Sequence, residues 1–438
     1  MKHRVVITGI GAVTPLGNTP ALLCDALLSG HSAAAPIGVF DAAGFITRIA
    51  AEVPRADAGS QADRKATFAV RSARAAWQDA QARGAALARH YGDAPCALSA
   101  GLGLELFNMA DMIRWRKLEG TGAAPMQMPD DFLQPAADAP AYQLSRELGL
   151  SELPQLHVSA CAASTDAIGR AFWQVREGRM AWMLAGGADS MINPMGVAGF
   201  CKIQAMTTRN HEPQRASRPF DKDRDGFLLG EGAAFVVLEA LDAARARGAR
   251  VYAELLGYGN SFDAYAISDP HPEGEGALAA MQRALADAQC DASEVRSVNA
   301  HGTSTPKNDP AEAAALRALF GVHVPKVAVN ATPEAAATML RVIQAHGGRC
   351  GFKAAGSIRS LDDAAVHAFA ERVDALCDVQ WQRFEAGEDL LVIADAARRH
   401  RADGGEGLAV DTTAGPLIER VDEDVEVGCV DRLLQLAM

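Results

Sequence analysis

The chain has 438 residues, of which 49% are hydrophobic and 22% charged, so it is long enough for two ordinary domains with sizeable cores. Its formal charge of −12 disfavours a nucleic-acid partner, and no apolar run reaches the roughly 18 residues of a membrane helix. The eight cysteines contain no C-x-x-C pair, which argues against a zinc site or a disulfide framework. A cytoplasmic location is predicted, because the cytoplasm keeps thiols reduced.

The first part of the chain alternates apolar runs with amphipathic segments. Thr19 or Asn18 is placed to cap a helix that ends at Leu28. Periodicity and turn residues predict these further elements: strand 4–8, loop 9–17, helix 63–83, strand 96–104, and a long irregular excursion over 106–141.

Cys161 lies between two kinds of predicted structure. Residues 153–158 predict a short strand, and the apolar spacing over 166–177 predicts a helix. A cysteine at such a turn sits at the positive end of the helix dipole, which favours its thiolate. Backbone amides of the turn are suited to stabilise an oxyanion. The alternative is that small residues here only let a helix pack on a sheet, since free cysteine is usually a small buried hydrophobe.

A second, similar pattern follows the first. Strand 180–185 with turn 186–189, strand 233–239 and helix 241–248 complete one series; strand 251–257, helix 276–288 and strand 295–300 begin another. We therefore predict two similar halves that meet near residue 250, with a mainly parallel sheet covered by helices. The charged stretch 218–227 resembles a calcium-binding loop, but its acids do not lie at the positions that an EF-hand requires.

His301 follows the last of these strands. A histidine exposed by a glycine turn at the carboxyl end of a strand is well placed to hydrogen-bond a reacting carbonyl or to move a proton. The alternative is a loop histidine whose ring is satisfied by backbone groups.

Three blocks of this sequence, 158–164, 218–232 and 299–309, resemble signature blocks of the β-ketoacyl-[acyl-carrier-protein] synthases, and the opening residues 5–11 are similar to that family's first strand and loop. The resemblance extends to about residue 325. It implies an α/β thiolase-like fold of two βαβαβαββ halves in α/β/α/β/α layers. The expected division is 1–249, which carries the cysteine, and 250–438, which is atypical from about 326.

The resemblance also implies a mechanism. Cys161 takes up an acyl group as a thioester, a malonyl thioester loses CO2, and the resulting carbanion attacks the acyl carbon while His301 binds the thioester carbonyl. It implies an acyl carrier protein as partner and a homodimer or a ketosynthase partner subunit. No resident cofactor is expected, since phosphopantetheine arrives on the carrier protein.

From residue 326 the sequence departs from the family pattern. Where the family continues with Lys-Ser-x-x-Gly-His, the matching positions are Pro333, Glu334, Ala337 and Thr338, and the family's later glycine-rich gate loop is missing. Residues 326–377 are instead similar to late units of deoxyribose-phosphate aldolase, in which the lysine matching Lys353 forms a Schiff base. This abrupt change of family suggests that two coding sequences were joined at residues 326–332, a stretch that fits both families.

The tail 378–438 matches neither family, although an amphipathic helix is expected over 389–399. The predicted function is a β-ketoacyl-synthase-like condensing enzyme, impaired by the missing second histidine. Two alternatives stay open: a non-catalytic partner subunit of a ketosynthase, and a Schiff-base aldolase that acts through Lys353. Acyl chain length is not specified by these residues.

Overall fold

The structure is a computed structural model. It describes residues 2–55, 64–102, 138–266, 268–295, 297–321, 328–330 and 391–394.

The elements of the described residues alternate between strands and helices along the chain. The strands are β1 (Val5–Val13), β2 (Ala34–Pro36), β3 (Ile49–Ala51), β4 (Cys96–Leu102), β5 (Gln155–His157), β6 (Trp182–Ser190), β7 (Leu229–Ala240), β8 (Ala253–Tyr258), β9 (Ser297–Asn299), β10 (Ala328–Asn330) and β11 (Leu391–Ala394). The α-helices are α1 (Pro20–Leu28), α2 (Arg64–Gln81), α3 (Leu87–Tyr91), α4 (Ala139–Glu147), α5 (Ala163–Arg176), α6 (Pro194–Lys202), α7 (Leu241–Ala246), α8 (Glu275–Ala288) and α9 (Asn308–Phe320).

Most strands join one mixed sheet of nine strands. Its main path runs β11-β8-β1-β7-β6-β4-β5, with β4 parallel to β5 and β6, and with β7 antiparallel to β1 and β6. The expectation of a mainly parallel sheet is therefore wrong. A strand that is buried on both faces is a continuous apolar run whether its neighbours are parallel or antiparallel to it. The sequence pattern therefore does not specify strand direction.

Helices cover both faces of this sheet. Along β6 and β7, alternate residues face two separate cores, as the pleat of a strand requires. One core receives Ile168 and Phe172 of α5, and the other receives Phe68 of α2. The cysteine helix and α2 therefore lie on opposite faces of the sheet.

The first strand is longer than its composition suggests. A loop was expected over 9–17, yet β1 runs through Val13. The glycines serve close packing: a Cβ on Gly11 would lie 2.0 Å from the Ser72 carbonyl oxygen of α2, and one on Gly9 would lie 2.2 Å from that of Ala76. Residues 186–189, expected to be a turn, likewise belong to β6; a Cβ on Gly186 would lie 2.1 Å from the Ala234 carbonyl oxygen of β7.

One ion pair is sealed inside the fold. The side chains of Arg247 and Glu239 are fully buried, and Arg247 Nε donates to Glu239 Oε2 at 2.7 Å. Tyr91 OH donates to the same carboxylate at 2.7 Å, and Thr8 also donates to it. This cluster joins β1 and β7 to the segments around α3.

The strand that begins the predicted second half lies in the same sheet as the strands of the predicted first half. β8 pairs antiparallel with β1, and β9 pairs in parallel with β10. β11 pairs antiparallel with β8, so the expectation of a helix over 389–399 is wrong for Leu391–Ala394. The run of branched apolar residues there suits a strand, and pairing with an open edge supplies the backbone hydrogen bonds.

Candidate active site

Cys161 occupies a tight turn between strand and helix, as the sequence predicts. β5 ends at His157, a short 3-10 turn spans Ala160–Ala162, and α5 begins at Ala163. Ala160 has φ of 51°, in the left-handed region that costs energy for a residue other than glycine. Cys161 is exposed and is not part of a disulfide. The turn thus presents a thiol at the N-terminal end of α5.

Asp166, in the first turn of α5, connects the cysteine turn to the second half of the chain. Its Oδ2 accepts a hydrogen bond from Ser159 Oγ at 2.5 Å. Its Oδ1 accepts from Tyr258 OH and, at 3.2 Å, from Asn260 Nδ2. Burial acts to raise the pKa of Asp166, but these hydrogen bonds and the charge of Arg170 outweigh it and lower the pKa. The carboxylate is therefore held ionised.

His157 lies beside this cluster. Its Nε2 is 3.0 Å from Ser99 Oγ, and that hydroxyl donates to the Ala167 carbonyl at 2.7 Å. Burial is the main cause that lowers the pKa of His157. A neutral imidazole at the end of β5, just before the cysteine turn in the chain, is therefore connected to α5 through the Ser99 hydroxyl of β4.

The loop that carries His301 is fixed by a buried carboxylate. His301 follows β9 and is partly buried. Its backbone N–H donates to Glu312 Oε1 at 2.8 Å, and that of Gly302 donates to Oε2 at 2.9 Å. Burial raises the pKa of Glu312, opposed by the charge of His301 and by these two N–H groups. Glu312, on α9, thereby sets the backbone from which the imidazole projects.

A second buried acid joins the His301 loop to the charged stretch 218–227. Asp309 accepts hydrogen bonds from the backbone N–H of Ser304 at 3.0 Å and of Phe220 at 2.6 Å. Arg224 Nε lies 3.4 Å from Asp309 Oδ2, and Ser304 Oγ accepts from the Arg218 N–H at 3.0 Å. Two of the three blocks noted in the sequence are therefore hydrogen-bonded to each other.

The sequence motifs predict the two chemical groups, Cys161 and His301, but not the acids that hold them. Asp166 and Asp309 lie in the first turns of the helices that follow the two motifs, and Glu312 lies one turn further along the second of these helices. Acids at the start of a helix that follows a candidate nucleophile or histidine are the signal that was available. Lys353, the third predicted residue, lies outside the described residues.

Within the ranges that the structure describes, no group of three or more His, Cys, Asp and Glu side chains is arranged to hold a metal ion. None of the helices in those ranges has the length and apolar character needed to cross a bilayer.

Comparison with known proteins identifies the family. Residues 2–244 match the family described as Beta-ketoacyl synthase, N-terminal domain, and residues 252–345 match Beta-ketoacyl synthase, C-terminal domain. The 3-oxoacyl-[acyl-carrier-protein] synthase 2 of Coxiella burnetii is 39% identical over 350 residues, which cover 77% of this chain and 82% of that protein. That of a Synechocystis strain is 35% identical over 407 residues, which cover 90% and 94%. The chain belongs to the β-ketoacyl synthase family.

Solved structures agree with this assignment. A β-ketoacyl synthase from Burkholderia phymatum superposes with a TM-score of 0.64 at 31% identity, over 78% of this chain and 86% of that one. A ketosynthase complex, AntDE:AntF, gives a TM-score of 0.66 at 26% identity over the same shares. These neighbours confirm the thiolase-like fold.

The resemblance to an aldolase over 326–377 is not borne out. The C-terminal condensing-enzyme family continues to residue 345, beyond the limit of about 325 that the motifs suggested. In the structure, β10 pairs in parallel with β9, directly before the His301 loop. Residues 328–330 at the start of the aldolase-like segment therefore belong to the part of the chain that matches the condensing-enzyme family.

Proposed function

We propose that the chain is a ketosynthase-like condensing enzyme of fatty-acid or polyketide synthesis, with Cys161 as the acyl acceptor. The observation that carries the proposal is the exposed thiol of Cys161 on a strained turn at the N-terminal end of α5. The helix dipole there favours the thiolate, which is the nucleophilic form. The family assignment supports the same activity.

The first step is transfer of an acyl group. The Cys161 thiolate attacks the carbonyl carbon of an acyl thioester, the new C–S bond forms, and the carrier's thiolate leaves. In the second step a malonyl thioester loses CO2, and its carbanion attacks the acyl carbon and releases Cys161. His301 is proposed to hydrogen-bond the thioester carbonyl as enolate charge develops on its oxygen.

Loading of Cys161 is the direct test. Incubation with an acyl-carrier thioester should add one acyl mass to the wild-type chain, seen by intact mass spectrometry. Cys161→Ala should show no added mass, whereas Cys201→Ala, a control at a partly buried free thiol, should load normally. Loading of Cys161→Ala at the wild-type level would refute the role.

Condensation should be weaker than loading. The family's second histidine and its lysine are replaced, with Thr338 and Pro333 at the matching positions. Loss of one positioned acid/base group costs about 10²- to 10⁴-fold. Turnover with malonyl carrier thioester should therefore fall by that factor relative to a complete family member, while loading stays comparable. Full turnover would show that another histidine has taken the role.

We also propose an acyl carrier protein as the partner that delivers both thioesters. It would bring phosphopantetheine with it, so the chain needs no resident cofactor. The related solved structure AntDE:AntF contains an acyl-carrier protein in complex with its ketosynthase. The cytoplasmic location stays a prediction.

A paired assembly is proposed from the open edge of the sheet. In the described part of the chain, β5 pairs only with β4, so its other edge is available for a second strand. The flanking residues Leu153 and Val158 are 73% and 56% exposed. A homodimer, or a pair with a homologous ketosynthase subunit, would cover this edge; the related ishigamide structure contains a ketosynthase with a chain length factor.

A further inference from the structure

A hydrogen bond joins Ser159 and Asp166, the residues on either side of the proposed nucleophile in the chain. Ser159 precedes Cys161 in the turn, Asp166 follows it in α5, and their side chains meet at 2.5 Å. The backbone between them includes Ala160 in the left-handed region. Such a conformation persists only where its surroundings hold it, and this hydrogen bond closes the loop on which the thiol sits.

The partner of Asp166 on the other side is a rigid one. The side chain of Tyr258 is buried, and its ring packs edge to face on Trp173 with centroids 5.1 Å apart. A Cβ on Gly169 would lie 2.2 Å from that ring, so α5 leaves Tyr258 no room to move. Its backbone N–H donates to Asp287 at 3.0 Å. The Asp166 carboxylate, which accepts a hydrogen bond from Tyr258, is therefore fixed relative to the second half.

We propose that Asp166 is a positioning residue for acyl transfer, whose carboxylate ties the Cys161 turn to Tyr258 and Asn260 of the second half. This inference rests on the proposed function of Cys161. Asp166 acts through the turn rather than on the substrate, because both of its carboxylate oxygens are occupied by protein donors.

A purely structural role is the alternative, since an acid in the first turn also stabilises a helix through its dipole. The chain offers a matched control in Asp287, which joins the same helix to the second half at its far end. Asp287 accepts hydrogen bonds from Trp173 Nε1 at 3.0 Å and Arg176 Nη2 at 2.7 Å. Replacement of either acid would loosen α5 in general, whereas only replacement of Asp166 would misplace the thiol.

The experiment measures the rate of Cys161 loading from an acyl-carrier thioester in the full chain. Asp166→Ala should lower this rate by about 10- to 100-fold, the cost of displacing a reacting group by about 1 Å. Asp166→Asn, which keeps one carbonyl acceptor, should recover part of it. Asp287→Asn loses the ion pair with Arg176 but keeps a carbonyl oxygen that can accept from the Tyr258 N–H. It should therefore lower the thermal midpoint and leave the loading rate within about twofold of wild type.

A double-mutant comparison separates positioning from stability. Tyr258→Phe and Ser159→Ala should each slow loading by about fivefold, because each removes one hydrogen bond worth about 1 kcal/mol. In the Asp166→Ala background neither change should slow it further, since both act through the same carboxylate. If Asp166→Ala does not fold, the Ser159→Ala and Tyr258→Phe single variants and their double variant carry the test.

Two results would overturn the inference: wild-type loading by the variants of Asp166, Ser159 and Tyr258, or equal slowing by Asp287→Asn. Failure of the proposed function looks different, because the wild-type chain would then not load, or Cys161→Ala would load as well as wild type does.

Discussion

Ala160 shows how a single residue is strained to present the thiol. Its φ of 51° is one that glycine adopts freely and alanine does not. Ala160→Gly should therefore raise the free energy of unfolding by up to about 1 kcal/mol, and Ala160→Val should lower it, because a β-branched side chain tolerates this region least. Urea denaturation measures both; a less stable Ala160→Gly would show that the alanine side chain has a packing role.

At this scale the sequence predicted the position of Cys161 but not the acids around it. Apolar strand residues followed by a helical period are local signals, and they are sufficient to predict a turn. The contact of Asp166 with Tyr258 joins residues that are far apart in the chain, and it depends on how two halves pack. No local pattern carries that information. The contact of Glu312 with the His301 loop spans only 11 residues, so there the acid near the start of the following helix was a local signal.

At the scale of elements, the contact between β1 and α2 depends on glycine. Gly11→Ala would force a Cβ to 2.0 Å from the Ser72 carbonyl oxygen, and such overpacking costs about 1–3 kcal/mol. Gly199, in α6, has open space around the same added atom, so Gly199→Ala should stabilise by up to about 1 kcal/mol through helix propensity. In thermal or urea denaturation, the two variants should change the free energy of unfolding in opposite directions. Destabilisation by both would contradict the packing argument.

The same strand explains a prediction that was wrong. Glycines in a row of turn residues predict a loop, whereas here they let a helix lie directly on a buried strand. Turn propensity and close approach use the same residue type, and only the packed structure separates them.

At the scale of the whole molecule, α5 joins the two halves at both ends. The bond at its far end is electrostatic: burial acts to raise the pKa of Asp287, but hydrogen bonds from Arg176, Trp173 and the Tyr258 N–H outweigh it and lower the pKa. Because the pKa is lower in the folded chain, this stabilisation is complete above the ordinary value of 3.8 and is lost as the pH falls through the folded pKa.

Asp287→Asn should therefore reduce the free energy of unfolding by about 1.5–3 kcal/mol near neutral pH, the value of a charged hydrogen bond. The difference from wild type should shrink below pH 3.8 as the wild-type carboxylate takes up a proton. Urea denaturation at several pH values measures it, and a difference that is the same at every pH would exclude ionisation as the cause.

The repeat that begins at Val251 was visible in the sequence, and it predicted two halves. The sequence did not predict that the first strand of the second half would pair with β1. Strand pairing over so long a separation depends on the packing of the whole molecule, and a periodic pattern specifies only which residues are buried.

The sealed pair of Arg247 and Glu239 restricts how this protein can diverge. Replacing either residue alone would leave a charge unpaired and away from water, at a cost of about 3–5 kcal/mol, whereas exchanging both for apolar side chains of similar volume leaves no unpaired charge, only neutral groups such as the Tyr91 hydroxyl that need new partners. Descendants of this chain should therefore keep both residues or lose both, and a lineage that crosses between these two conditions must pass through a poorly folding intermediate.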